Sequence, residues 1–228
     1  MEQPFSVQVI ARIHTDFGSK FGVPRQSGLV PELTARIVFE PAYRNPDALR
    51  GLEDFSHLWL LWHFDQVRQD GWSPTVRPPR LGGNTRMGVF ATRSPYRPNP
   101  IGLSCVRLEQ VDLHTSDGPV ITVSGADLMD GTPILDIKPY LAYADSHPEA
   151  AGGFVAGLSD RSVTVDCDPA LLEGLPESTR RILLAVLAHD PRPSYQDDPQ
   201  RVYGMDFAGY NVRFTVADGV LTVVEIGR

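Results

Sequence analysis

The segment GVFATRSPYRPNPIGLS, residues 88–104, sets Arg93 and Arg97 four positions apart with Asn99 close by, on a stretch stiffened by Pro95, Pro98 and Pro100. Proline fixes φ, so such a loop holds its side chains in a defined array and loses little entropy when a ligand binds. Guanidinium forks at that spacing can clamp a carboxylate or a phosphate through paired N–H donors. The same composition also suits a rigid turn that holds nothing. A second segment, DLMDGTPILDIKPY at 127–140, turns at Asp130-Gly131 and then carries Asp136 and Lys138 on one face of a strand, because i and i+2 point the same way. That face reads equally as part of a site or as an exposed salt-bridged surface. A third segment, VPRQSG at 23–28, is a polar turn between strands and signals nothing alone.

Several chemistries lack their signatures. No G-x-G-x-x-G follows a strand and no G-x-x-x-x-G-K-[ST] occurs, so neither a Rossmann dinucleotide site nor a P-loop is indicated. The six histidines show no metal-ligand spacing, and His57 with His63 reads as a structural pair. No metal is expected. Ser94 and Ser104 stand outside any G-x-S-x-G context, which leaves a hydrolase elbow unsupported. Cys105 and Cys167 form no CxxC pair and read as two reduced core thiols.

The elements that must position these groups are mostly strands. Val7, Val9, Ala11 and Ile13 alternate with Gln8, Ile10, Arg12 and His14, and Leu33, Ala35, Ile37 and Phe39 with Thr34, Arg36, Val38 and Glu40, the period of a half-buried strand. Further strands are expected at 57–64, 88–93, 101–114, 120–127 and 134–138, each bounded by Gly, Pro or Asp. Six or more strands with almost no helical pattern among them imply an antiparallel barrel or sandwich over residues 1–145. A linker rich in Ala, Gly and His follows at 145–157. Asp168-Pro169 has the form of an N-cap with Pro at the first helical position. Leu183, Val186 and Leu187 keep helical spacing in 178–189 before Pro191. Asp218-Gly219 between 210–216 and 220–226 signals a hairpin. Residues 146–228 thus form a small α+β domain.

The chain of 228 residues has 42% hydrophobic and 21% charged residues, the balance of an ordinary globular protein. No apolar stretch approaches the roughly 20 residues of a membrane span, and the start lacks the basic-then-apolar pattern of a signal peptide, so no membrane association and a cytoplasmic location are expected. The net charge of −7 hides an uneven distribution: no acid lies between Asp70 and Glu109, a window with Arg77, Arg80, Arg86, Arg93, Arg97 and Arg107. That is a local positive field in an acidic protein. The cations are nearly all arginine, whose planar fork suits carboxylate and phosphate.

GVFATRSPYRPNPIGLS, LMDGTPILDIKPYL and VPRQSGLV together resemble the signature stretches of the TrmO/TsaA family, with GLEDFSHLWLLWHFDQ and WSPTVRPPRLGGNTRMG extending the likeness over residues 5–145 and DPRPSYQ at 190–196 carrying it into the tail. The resemblance implies a single-sheet antiparallel β-barrel followed by a small α+β domain, and a homodimer. The implied activity is methylation of N6 of threonylcarbamoyladenosine at position 37 of tRNA, with S-adenosylmethionine as methyl donor. It implies a cofactor site of Pro24, Arg25, Gln26, Asp65, Gln66, Arg93, Leu103 and the turn Asp130, Gly131, Thr132, Pro133. Within it Arg93 would meet the methionyl carboxylate, Leu103 would pack on adenine, and the Asp130 turn would face the sulfonium. Asp136 and Tyr140 are the base candidates by position in the motif. Arg86, Arg97, Arg192 and Tyr195 are the expected RNA contacts, and the apolar stretch 58–64 either fills the barrel or joins two copies. The competing readings are a non-catalytic RNA- or nucleotide-binding barrel and an anion-sensing regulator.

Overall fold

Alternation of apolar and polar residues closes the first half of the chain on itself. The computed structural model describes residues 6–67, 72–156, 162–192, 196 and 198–228. Its first strands are β1 (Ala11–His14), β2 (Thr34–Phe39), β3 (His57–His63), the short β4 (Thr75–Val76) and β5 (Met87–Gly88), β6 (Ile101–Thr115), β7 (Gly118–Ser124) and β8 (Pro133–Pro139). Six of them form a closed barrel in the order β1-β2-β7-β6-β3-β8 with every neighbouring pair antiparallel. Ile13, Ile37, Leu58, Leu60, Val106, Ile121 and Ile134 point inward and fill it. The stretch at 58–64 divides between the two roles expected of it: Leu58, Leu60 and Trp62 are core, while Trp59 and Leu61 face outward.

Residues 88–93 do not make the expected strand. Only Met87–Gly88 pairs, with β4, and Val89–Ala91 is a 3-10 turn in which Val89 alone is buried. Both cysteines are half-buried rather than core.

After a single turn α1 (Ala142–Asp145) come β9 (Thr164–Asp166), α2 (Pro169–Leu172), α3 (Glu177–Ala188), β10 (Tyr203–Phe207), β11 (Tyr210–Ala217) and β12 (Val220–Gly227). Asp168 caps α2 by accepting from the Ala170 N–H, with Pro169 at the first helical position. α3 lays Ile182, Leu183, Val186 and Leu187 onto a sheet ordered β10-β11-β12-β9, in which β9 runs parallel to β12. Asp218 and Gly219 both have positive φ, as the tight hairpin requires. Among the described residues no helix is long and apolar enough to cross a membrane.

The second core is shared. Phe17, Phe21, Val23, Val30 and Leu33, all from the connection between β1 and β2, pack among Leu183, Tyr203, Met205, Phe207 and Phe214 of the C-terminal domain. Phe17 meets Phe207 edge-on at 5.3 Å. Gly22 takes φ 96°, which side-chain-bearing residues rarely adopt, and a Cβ there would stand 2.2 Å from the Met205 sulfur, so a larger residue would be strained and would displace the Met205 side chain.

Candidate active site

Antiparallel closure decides which loops meet. With strands alternating in direction around the barrel, the β1–β2, β3–β6 and β7–β8 connections all emerge at one end, and the other connections at the opposite end. Three parts of the chain far apart in sequence, at 23–28, at 64–67 with 72–100, and at 125–132, therefore surround one mouth. They enclose a cleft of about 1850 Å³, completed on one side by Val186, His189 and Asp190–Arg192 of the C-terminal domain.

Of the expected cofactor residues, Pro24, Arg25, Gln26, Asp65, Gln66, Arg93, Leu103 and Thr132 line this cleft. Arg93 donates from Nη1 to Gln26 Oε1, joining the proline-stiffened loop to the polar turn. Leu103 projects from β6 with 51% of its surface exposed, an apolar ledge at the cleft wall. Asp130, Gly131 and Pro133 are not among the lining residues. Asp130 turns its carboxylate to His14 Nδ1 and the Thr15 N–H, both at 3.1 Å, and the Gly131 carbonyl accepts from Arg12 at 3.0 Å. Of that turn only Thr132 reaches the cleft.

Asp136 and Tyr140 also stand outside it. Asp136 pairs with Lys138 at 2.9 Å on the outer face of β8, and Tyr140 packs against His57 and Trp59. Asp136 gives its carboxylate to Lys138, and Tyr140 lies past the far end of β8, whose first residues are the ones at the mouth. Arg86 and Arg97 do line the cleft: Arg86 is exposed and donates to Thr75 Oγ1 at 3.4 Å, and Arg97 donates to the Thr92 carbonyl at 3.2 Å. Arg192 is buried rather than presented to solvent. Its side chain is 8% exposed and its Nε and Nη2 hold the Asp190 carboxylate, itself 3% exposed, at 2.8 and 3.0 Å. The carbonyls of Asp190 and Arg192 in turn accept from Arg25 Nη2 at 3.3 and 2.8 Å. The tail loop thus grips the polar turn, and the turn orients Arg93. Tyr195 lies outside the described residues.

One lining residue carried no role in the sequence. Asp127, early in the β7–β8 connection, has its Oδ1 on the Ser104 hydroxyl at 2.5 Å, and Ser104 accepts from Trp62 Nε1 at 3.0 Å. Since the indole can only donate, the one hydroxyl proton of Ser104 is committed to Asp127. Gly102 allows this packing, because a Cβ there would fall 2.2 Å from the Trp62 ring. Burial pushes the Asp127 carboxyl above the usual carboxylate range, against the opposing pull of the Ser104 hydrogen bond, backbone N–H groups and Arg93. A carboxylate so placed is a better proton acceptor than one in water, and its cleft neighbour is a cation. Among the described residues no group of His, Cys, Asp or Glu is arranged to hold a metal.

Both parts of the chain have recognisable counterparts. Residues 12–146 match the family model for the tRNA-methyltransferase O N-terminal domain, and residues 164–228 match that for the TrmO C-terminal domain. The chain is 44% identical over 231 residues to the tRNA (adenine(37)-N6)-methyltransferase of Escherichia coli (strain K12), with 97% of each covered. It is 42% identical over 208 residues to a Pseudomonas aeruginosa protein named as a putative S-adenosylmethionine-dependent methyltransferase, covering 88% of this chain and 87% of that one. The crystal structure of TrmO from Pseudomonas aeruginosa superposes with a TM-score of 0.77 at 32% identity, covering 99% of this chain and 100% of that one.

Proposed function

Because the chain belongs to the tRNA-methyltransferase O family, matched in both its domains, we propose that it is a methyltransferase that methylates N6 of adenosine 37 of tRNA, at work in the cytoplasm with S-adenosylmethionine as methyl donor. The observation that supports this most is the convergence of three loops on one cationic cleft with Arg93, Leu103 and Asp127 in its wall.

The cleft suits the donor. S-adenosylmethionine supplies, when bound, a methyl group on a positively charged sulfur. Arg93, held by Gln26, offers a charge-assisted hydrogen bond to its carboxylate, and the exposed Leu103 offers apolar surface to its adenine. Pro24, Arg25, Asp65, Gln66 and Thr132 complete the lining around it. The nitrogen to be methylated must lose a proton, and its lone pair is delocalised when it belongs to a ureido group, so a nearby base helps. Asp127 takes that part, its carboxylate held in one orientation by Ser104. Asp136 and Tyr140 keep their places on the outer face, apart from the reacting groups in the cleft of their own chain.

The acceptor is adenosine already carrying a threonylcarbamoyl group. That group adds a carboxylate, and Arg86 and Arg97 at the cleft give it cationic partners. The protein works as a homodimer, in which a second copy covers Trp59 and Leu61 on the outer face of β3 together with Tyr143, 89% exposed. The activity is tested by nucleoside mass spectrometry of tRNA incubated with the protein and labelled S-adenosylmethionine. Label is expected only in tRNA bearing the threonylcarbamoyl group. Equal labelling with and without it overturns the acceptor, and no labelling of either makes the protein a non-catalytic binding module.

A further inference from the structure

Trp72, which lines the cleft, and Phe90 beside it have no place in either core. Trp72 is 52% exposed and Phe90 is 73% exposed, with ring centroids 6.2 Å apart and planes inclined at 31°. Their position is built. β4 and β5 pair through Thr75 with Gly88 and Val76 with Met87, and the Val89 N–H donates to the Pro74 carbonyl at 2.9 Å. Beyond that rung Val89 is buried, and its carbonyl accepts from both the N–H and the hydroxyl of Thr92. Val89 is thereby anchored inward and Phe90, the next residue of the 3-10 turn, is thrust outward beside Trp72. Arg77 and Arg86 flank the same pair of strands at their other end, both exposed. The described cleft lining as a whole carries seven Lys or Arg side chains against three Asp, in a protein whose net charge is −7.

We propose that the Trp72–Phe90 pair is a stacking platform for the unpaired anticodon-loop bases that neighbour the target adenosine, with Arg77 and Arg86 holding the adjoining phosphates. The proposal rests on the tRNA reading given above and adds the surface that takes the loop. Single-stranded RNA is held by aromatic faces for its bases and cations for its backbone, and this hairpin presents both. The Phe90 position, set beforehand by a paired strand and a buried valine, spares the complex part of the entropy of ordering it. A second copy of this chain is the less suited occupant, since a two-fold contact about this patch brings its own arginines face to face.

The test measures binding of a labelled threonylcarbamoylated anticodon stem-loop, independently of catalysis, to the wild type and to Trp72→Ala, Phe90→Ala and Trp72→Phe. Each alanine variant is expected to weaken stem-loop binding about five- to a hundredfold. Trp72→Phe restores most of it, and S-adenosylmethionine affinity stays at the wild-type value. The salt dependence of binding is unchanged in the aromatic variants and falls by about one unit of slope in Arg86→Ala. Wild-type stem-loop affinity in both Trp72→Ala and Phe90→Ala overturns the platform. So does a loss of S-adenosylmethionine binding, which assigns the pair to the cofactor, or a change of oligomeric mass, which assigns it to a second copy. A protein that binds the stem-loop through Trp72 yet labels no tRNA sinks the enzymatic reading and leaves the platform standing.

Discussion

Replacing Asp127 by Asn keeps the shape of the side chain and an acceptor for the Ser104 hydroxyl, but removes the charge that accepts a proton. If Asp127 merely holds Ser104 and the polar turn, the loss is that of charge-assisted hydrogen bonds, about 1.5–3 kcal/mol, or at most about 160-fold in rate. If it receives the N6 proton, the loss is that of a general base, about 10²–10⁴-fold or roughly 3–5.5 kcal/mol. A fall well beyond about 160-fold therefore requires the proton-accepting role. The pH profiles separate the two further. Wild-type single-turnover rates are expected to rise with pH through the raised Asp127 value and then level off, while the residual rate of Asp127→Asn stays flat over that window. Stability runs the opposite way. A carboxyl raised by burial favours folding when protonated, so its contribution is full below the ordinary carboxylate range and is lost as pH rises through the raised value. Asn imitates the neutral acid, so the variant should melt higher than wild type at neutral pH, and the difference should vanish in acid. A variant with near wild-type rate and an unchanged pH profile refutes the base assignment.

Arg93→Ala should weaken S-adenosylmethionine about ten- to a hundredfold by calorimetry, the worth of one charge-assisted hydrogen bond, and unchanged affinity would detach Arg93 from the carboxylate. Asp190→Ala deprives a buried guanidinium of its carboxylate, which costs about 3–5 kcal/mol and lowers the melting temperature by roughly 6–20 °C. It should also weaken S-adenosylmethionine, because the carbonyls that hold Arg25 belong to the same loop. A melting temperature within about 2 °C of wild type would show the pair to be dispensable. Light scattering should give twice the 25.1 kDa chain mass for the wild type and the single mass for Leu61→Glu, and a monomeric wild type would reject the dimer.

The barrel was legible because its signal is local: Leu58, Leu60 and Trp62 alternate with outward residues in the chain itself, and so do Ala35, Ile37 and Phe39. The strand expected at 88–93 failed because Val-Phe-Ala has the composition of a strand while only Val89 finds a partner surface. β9, three residues long and parallel to β12, left no period to read. Most of the cofactor residues assigned by resemblance fall on the cleft, yet Asp127 went unassigned. Its meaning arises only when Trp62 and Ser104 from two other strands arrive beside it. The burial of Arg192 had a signal in the sequence: an aspartate stands two residues before it, close enough to take the guanidinium that was expected to meet RNA.

The connection between β1 and β2 belongs by chain continuity to the barrel and by packing to the other domain, since Phe17, Val30 and Leu33 are core residues of the C-terminal half. The unit that inherits and the unit that folds are therefore cut along different lines. A chimaera that grafts a foreign tail onto this barrel at residue 146 inherits a connection shaped for Met205 and Phe207, and its polar turn loses the surface that seats it. A graft that carries residues 15–33 along with the tail exchanges a complete core. Recombination within such proteins is thus expected to succeed as a two-segment transplant, and drift in β10 is answerable to residues nearly two hundred positions earlier in the chain.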